Sequence, residues 1–149
     1  MATPLEATLT LDDGQQELID LRNGIHSSFM TVTVDSEGFI VYCNQAFLKA
    51  SNWTPKRILG KTFWKLFPEK EESIKVSQNI WKTLNSGHIW QGEVEKATKD
   101  GQSYWVNLTA IPSIGEISGS NRFTLIEKDI TKEKMIQLQL EKIAFIDTE

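Results

Sequence analysis

The stretch from Trp90 to Pro112, WQGEVEKATKDGQSYWVNLTAIP, constrains the fold more than any other part of the chain. Apolar and polar residues alternate on both sides of Lys99-Asp100-Gly101, at the period of two expected of a half-buried strand. Asp-Gly supplies the positive φ that a hairpin turn requires. Trp90, Gly92, Val94 and Lys96 fall on one face of the first strand. On the returning strand Tyr104, Val106, Leu108 and Ala110 share one face, and Trp105, Asn107 and Thr109 the other. Pro112 has no N–H to donate, so the second strand is expected to end there. A hairpin this long must pair with further strands supplied by the rest of the chain.

Residues 1–11 read as a lead-in without structure, and residues 12–25 as a capping helix with Leu18, Leu21 and Ile25 at helical spacing. Phe29 to Val34 and Phe39 to Cys43 read as strands around the turn Asp35-Ser36-Glu37-Gly38. Asn44 is placed to cap a helix over Gln45–Ala50, and Thr54-Pro55 to cap and open another. Lys61 to Phe67 reads as one helical turn. A longer helix follows from Glu69 or Ser73 to Leu84, with Ile74, Gln78, Trp81 and Leu84 as its apolar stripe. After the hairpin come a last strand, Arg122–Lys128, and a helix from Thr131 to about Ile146 carrying Met135, Ile136, Leu140, Ile143 and Ile146. Strands at both ends with helices between them predict an α+β domain: one antiparallel sheet with helices packed on one face.

Composition removes several function classes. A net charge of −4 without a basic run argues against nucleic-acid binding. One cysteine, Cys43, excludes an internal disulfide and a cysteine-rich zinc site. No apolar run reaches the ~20 residues of a membrane span, so a cytoplasmic protein is expected. There is no nucleophile–base pair, glycine-rich phosphate loop or metal-ligand spacing, so this chain is not expected to be an enzyme.

The ordered set of short motifs resembles a PAS (Per-ARNT-Sim) sensor domain. The matching pieces are the Asp-x-x-Gly turn with Ile40-Val41-Tyr42-Cys43-Asn44-Gln45-Ala46-Phe47, then Ile58-Leu59-Gly60-Lys61, Trp90-Gln91-Gly92-Glu93, Lys99-Asp100-Gly101, Tyr104-Trp105-Val106 and Asp129-Ile130-Thr131. The resemblance places the domain at residues 26–130 and implies a five-stranded antiparallel sheet in the order 2-1-5-4-3. It also implies a signalling helix and linker over 131–149, with Asp129 and Thr131 relaying sheet geometry into that helix. Leu140-Glu141-Lys142-Ile143-Ala144-Phe145-Ile146-Asp147 resembles the linker that opens a diguanylate cyclase (GGDEF) domain. That resemblance implies an attached output domain of cyclic di-GMP metabolism, a diguanylate cyclase or a phosphodiesterase.

The family's cofactors can be weighed residue by residue. Haem is not expected, because the long helix lacks the family's histidine. A covalent flavin adduct is not expected either, since Phe63-Trp64-Lys65-Leu66 offers no thiol where the light-sensing (LOV) branch carries one. Where that branch reads the flavin ring with two asparagines and a glutamine, this chain has Lys96, Val106 and Glu127. Non-covalent FAD remains an alternative to a colourless ligand or no cofactor, with Trp90 as the stacking residue. Cys43 reads as a small buried apolar side chain.

The expected pocket is lined by Tyr42, Asn44, Trp64, Trp81, Trp90, Lys96, Tyr104, Val106, Leu125 and Glu127. Lys96 and Glu127 lie on strands about 10 Å apart across Val106, two strand spacings of ~4.8 Å. Three outcomes stay open: a buried ion pair, two groups flanking a polar ligand, or a splayed edge with both in solvent. On the other face Trp105, Val41 and Ile126, with Leu18 and Leu21 of the N-terminal helix, are expected to form a homodimer contact. The reading is a sensory PAS module controlling an output domain through its C-terminal helix. The alternatives are a ligand-free dimerisation module and an FAD redox sensor.

Overall fold

The computed structural model describes residues 29–114 and 121–147 of the 149-residue chain. The expected N-terminal helix, with Leu18 and Leu21, lies outside them. Five strands form one antiparallel sheet in the order β2-β1-β5-β4-β3. In chain order they are β1 (Met30–Asp35), β2 (Ile40–Cys43), β3 (Trp90–Ala97), β4 (Ser103–Ile114) and β5 (Asn121–Asp129). Between β2 and β3 run α1 (Gln45–Ser51), α2 (Pro55–Ile58), a 3-10 helix (Phe63–Leu66) and α3 (Glu71–Asn85). α4 (Thr131–Asp147) follows β5 directly.

Local chemistry accounts for most of these boundaries. Asp35 Oδ1 accepts from the N–H groups of Glu37 and Phe39 at 2.9 and 3.0 Å, closing the β1–β2 turn at Gly38 (φ +93°). Asn44 caps α1, its side-chain oxygen accepting from Phe47 N–H at 3.1 Å. Thr54 makes no such side-chain bond; Pro55 at the first position of α2 supplies the fixed φ instead. The central turn is wider than Lys99-Asp100-Gly101, running from Thr98 to Gln102, with Thr98 Oγ1 accepting from Gln102 N–H at 3.0 Å.

Three expectations shift. β4 does not stop at Pro112 but continues to Ile114. Its pairing with β3 ends at Ala110, so Pro112 lies where the strand has a neighbour on one side only, and a strand tolerates proline there. The buried stripe of α3 is Ser73, Ser77, Ile80 and Leu84, while Ile74 is 48% exposed. Small serines on that stripe let the helix approach the sheet, which apolarity alone did not reveal. Lastly, the register between β1 and β2 slips at Thr33/Val34, leaving Val41 as the extra residue. Tyr42 consequently pairs with Thr33 on the outer face and is 43% exposed, instead of joining Ile40 toward the helices.

The inner face of the sheet and the helices enclose one core: Met30, Val32, Val34, Ile40, Phe47, Ile58, Phe63, Leu66, Ile80, Leu84, Val94, Leu108, Phe123 and Leu125 among others. Each large apolar side chain removed from water contributes about 1.5–3 kcal/mol before entropic costs. Phe63, Trp64, Trp81 and Phe123 form a continuous aromatic run, with neighbouring centroids 4.9 to 5.8 Å apart. A Cβ on Gly38 would lie 2.7 Å from the Trp64 ring and 3.3 Å from Trp81, so the Trp64 ring would have to shift. Gly38→Ala should therefore cost about 2–3 kcal/mol from positive φ and the clash together. Gly87→Ala, at φ +83° in open space, should cost about 1 kcal/mol. Urea unfolding of the two variants checks the ranking.

Candidate functional site

Two constellations lie on the C-terminal half of the sheet. The first is on its inner face. Lys96 pairs in register with Tyr104, and Leu108 with Glu127, so Lys96 and Glu127 stand on diagonals either side of Val106. Their long side chains close that gap: Lys96 Nζ is 2.8 Å from Glu127 Oε2, and both side chains are 0% exposed. The contact is an ion pair without aligned hydrogen-bond geometry. Lys96 Nζ, both Glu127 oxygens and the Tyr104 hydroxyl have no hydrogen-bond partner among the described residues. The Phe67 ring covers Lys96, its centroid 4.5 Å from Nζ. Burial, reinforced by the negative charges of Glu127 and Asp129, holds the Tyr104 phenol far above its usual range.

The other candidate pocket residues divide. Val106 and Leu125 are fully buried in the inner face beside the pair. Trp64 and Trp81 belong to the aromatic run. Trp90 folds over Gly92, whose added Cβ would meet the indole at 2.9 Å, and donates from Nε1 to Asn79 Oδ1 at 2.9 Å. Asn44 is a clasp between β1 and α1: it accepts from Thr31 N–H at 2.9 Å and donates to Phe29 O at 2.7 Å. Tyr42 is on the opposite side of the sheet. Cys43, half-buried opposite Val32, has its thiol pushed up by burial and so holds its proton.

A flavin could enter this arrangement only by displacing side chains. The aromatic rings fill the layer between sheet and helices, the Trp90 ring is folded onto Gly92, and an ion pair occupies the middle of the inner face. A three-ring planar group would have to displace several of them. Among the described residues no cluster of three or more His, Cys, Asp or Glu is placed to hold a metal ion.

The second constellation joins the sheet to α4. Trp105 N–H donates to Thr131 Oγ1 at 2.9 Å, and Thr131 donates from Oγ1 and N to Asp129 Oδ1 at 2.6 and 2.9 Å. Ile130 N–H donates to Trp105 O at 2.8 Å. One turn further, Lys134 Nζ is 3.0 Å from Glu93 Oε1 and 4.6 Å from the Trp105 ring centroid. The sequence marks Asp129, Thr131 and Trp105. It carries no local signal for Lys134 or Glu93, which lie 41 residues apart, nor for Phe67 as the cover of Lys96. Val41 and Ile126 stand on the outer sheet face, exposed and half-buried respectively.

Lys96→Met alone should cost about 3–5 kcal/mol, because it leaves a buried carboxylate uncompensated, while Lys96→Met with Glu127→Leu should recover most of that loss. A double-mutant cycle in urea measures it; a single-variant cost below about 1 kcal/mol would mean that Glu127 reaches water. Tyr104 gives a pH dependence of known sign. Its folded pKa lies above the unfolded value of ~10, so its contribution is intact below that pH and is lost as pH rises beyond it. Tyr104→Phe should therefore flatten the alkaline fall in stability, followed as unfolding midpoint against pH.

Residues 27–132 match the profile of the PAS domain family. Against known proteins, the chain is 29% identical over 89 residues to the aerotaxis receptor of Escherichia coli strain K12, covering 58% of this chain and 17% of that one. It is 21% identical over 106 residues to the nitrogen fixation regulatory protein of Klebsiella oxytoca, covering 71% and 21%. The chain thus spans about a fifth or less of the curated relatives it matches. Among solved structures, a PAS domain from Colwellia psychrerythraea superposes with a TM-score of 0.62 at 24% identity, covering 78% of this chain and 98% of that one. The sheet order β2-β1-β5-β4-β3, the helices on its inner face and the profile match agree: the chain belongs to the PAS domain family.

Proposed function

We propose that this PAS domain is the sensory module of a signal-transduction protein, taking its input at the inner face of the sheet and passing it through α4 to an attached output domain. The observation that carries this reading is the clasp of Trp105, Thr131 and Asp129 at the start of α4. It lies on the same strands whose inner faces carry Tyr104 and Glu127. A change in how β4 and β5 pack therefore reaches the helix through hydrogen bonds and the Lys134–Glu93 bridge. The input would be a small ligand or a redox change, acting as a shift between two packings of sheet and helix. The likeness of residues 140–147 to a linker supports an output enzyme of cyclic di-GMP metabolism.

Dimerisation fits the same scheme. Met135, Ile136, Leu138, Leu140 and Ile143 are all exposed on α4, and Val41 is exposed on the outer sheet face. Such surfaces are expected to be covered by a second copy, with Trp105 and Ile126 in the contact. No described helix is long and apolar enough to cross a membrane. A second reading, a ligand-free dimerisation module, is favoured by the filled aromatic layer.

Two measurements test the proposal. Thr131→Val should raise amide exchange in the first turn of α4 about five- to tenfold, matching one lost hydrogen bond of ~1 kcal/mol, and leave β1 and β2 unchanged. Unchanged exchange in α4 would remove the clasp as relay. An absorption spectrum of the purified protein, with mass spectrometry of a denatured extract, addresses the input. A colourless small molecule supports the first reading, an empty extract the second, and a flavin spectrum the FAD alternative against the packing described above.

A further inference from the structure

β3 is an edge strand: it pairs with β4 and has no other strand beside it. Trp105 shows which of its backbone groups face the open side. The Trp105 N–H donates to Thr131 Oγ1 and its carbonyl accepts from Ile130 N–H, so both point away from β3. In an antiparallel ladder such a residue stands opposite one whose own N–H and C=O also point outward. That residue is Glu95, and at the period of two Gln91, Glu93 and Ala97 share its orientation. None of these four outward pairs of groups has a partner among the described residues.

The two sides of this edge differ in chemistry. A groove of about 160 Å³ wraps around it, bounded by Phe67, Val76 and Val94 toward the helices and by Glu93, Glu95 and Trp105 toward the outer face. The carboxylates already hold ammonium groups: Lys134 Nζ is 3.0 Å from Glu93 and Lys70 Nζ 2.8 Å from Glu95. Lys70 reaches over from the residue before α3, so its side chain guards the edge, and at 51% exposure it can swing aside.

We infer that the β3 edge is a docking site for an extended segment of a partner protein, added as a sixth strand. Side chains alternate between the two faces of such a segment. One set meets the apolar wall of the groove and the other meets Glu93 and Glu95, so apolar residues alternate with lysine or arginine in it. A second copy of this chain lacks that complementarity, because β3 laid against β3 brings carboxylates together. Main-chain hydrogen bonds supply the affinity, and the groove with its carboxylates selects the partner.

The probe is the peptide acetyl-KVKVKVK-amide, with the EVEVEVE peptide as its charge-reversed control, followed by amide NMR and hydrogen exchange. The Gln91, Glu93, Glu95 and Ala97 amides should exchange fast in the free protein and at least about tenfold more slowly with the basic peptide bound. N-methylating either its valines or its lysines removes the N–H groups from one edge of the peptide at a time, so one of the two analogues should lose binding. Lys70→Ala should tighten binding about threefold by removing the guard. Glu93→Gln with Glu95→Gln should weaken it about three- to tenfold. Glu95→Pro, which removes an outward N–H and leaves the β4 ladder intact, should abolish it. The inference is overturned if the basic peptide leaves the four amides unchanged, or if the acidic peptide protects them equally. It is also overturned if both N-methylated analogues bind like the parent. Amides already protected in the free protein, with protection lost on dilution, would assign the edge to a second copy and overturn it as well.

Discussion

An ammonium and a carboxylate held 2.8 Å apart at zero exposure impose the strictest condition on this fold. Either charge alone in that setting would be strongly destabilising, so β3 and β5 must hold their positions on either side of β4. The register supplies this. Lys96 opposite Tyr104 and Glu127 opposite Leu108 put the two side chains on a diagonal that Val106 is small enough to leave clear. A one-residue slip of either strand would turn one charge to the outer face and leave the other unpaired. The pair therefore works as a register lock, and the Phe67 ring covers it.

Around that lock the domain is divided by function. The N-terminal strands and α1 are tied by ordinary turn and cap chemistry, with Asp35 and Asn44 each satisfying backbone groups that a turn or helix end leaves open. The C-terminal strands carry the charged groups and the rings beside them: Lys96 and Glu127 with Tyr104 inward, Glu93 with Trp105 outward toward Lys134. β5 is central, bonded to β1 on one side and β4 on the other, and it runs directly into α4. A strand so placed joins the inner face of the sheet to the helix with only Ile130 between them.

Much of this is legible in the residues. Strict alternation over Trp90–Ala110 defines the hairpin and its inner face, and turn and cap residues mark the short elements. Two places where periodicity misleads have local causes. The irregularity at Thr33/Val34 reverses the side of Tyr42, since one unpaired residue is invisible to a pattern of period two. Ser73 and Ser77 are buried because α3 lies close to the sheet, and hydropathy alone gives serine no reason to face inward.

By themselves, then, periodicities with turn and cap residues determined the fold class, because these rest on local chemistry repeated at fixed spacing; the sheet order followed from the resemblance to a family, and the fate of Lys96 and Glu127 stayed open. Only the tertiary structure decided that the two charges meet, that Phe67 covers them and that Lys134 reaches Glu93 across 41 residues. Such contacts depend on strand register and side-chain reach between distant segments, and no local pattern encodes the distance between two atoms that only folding brings together.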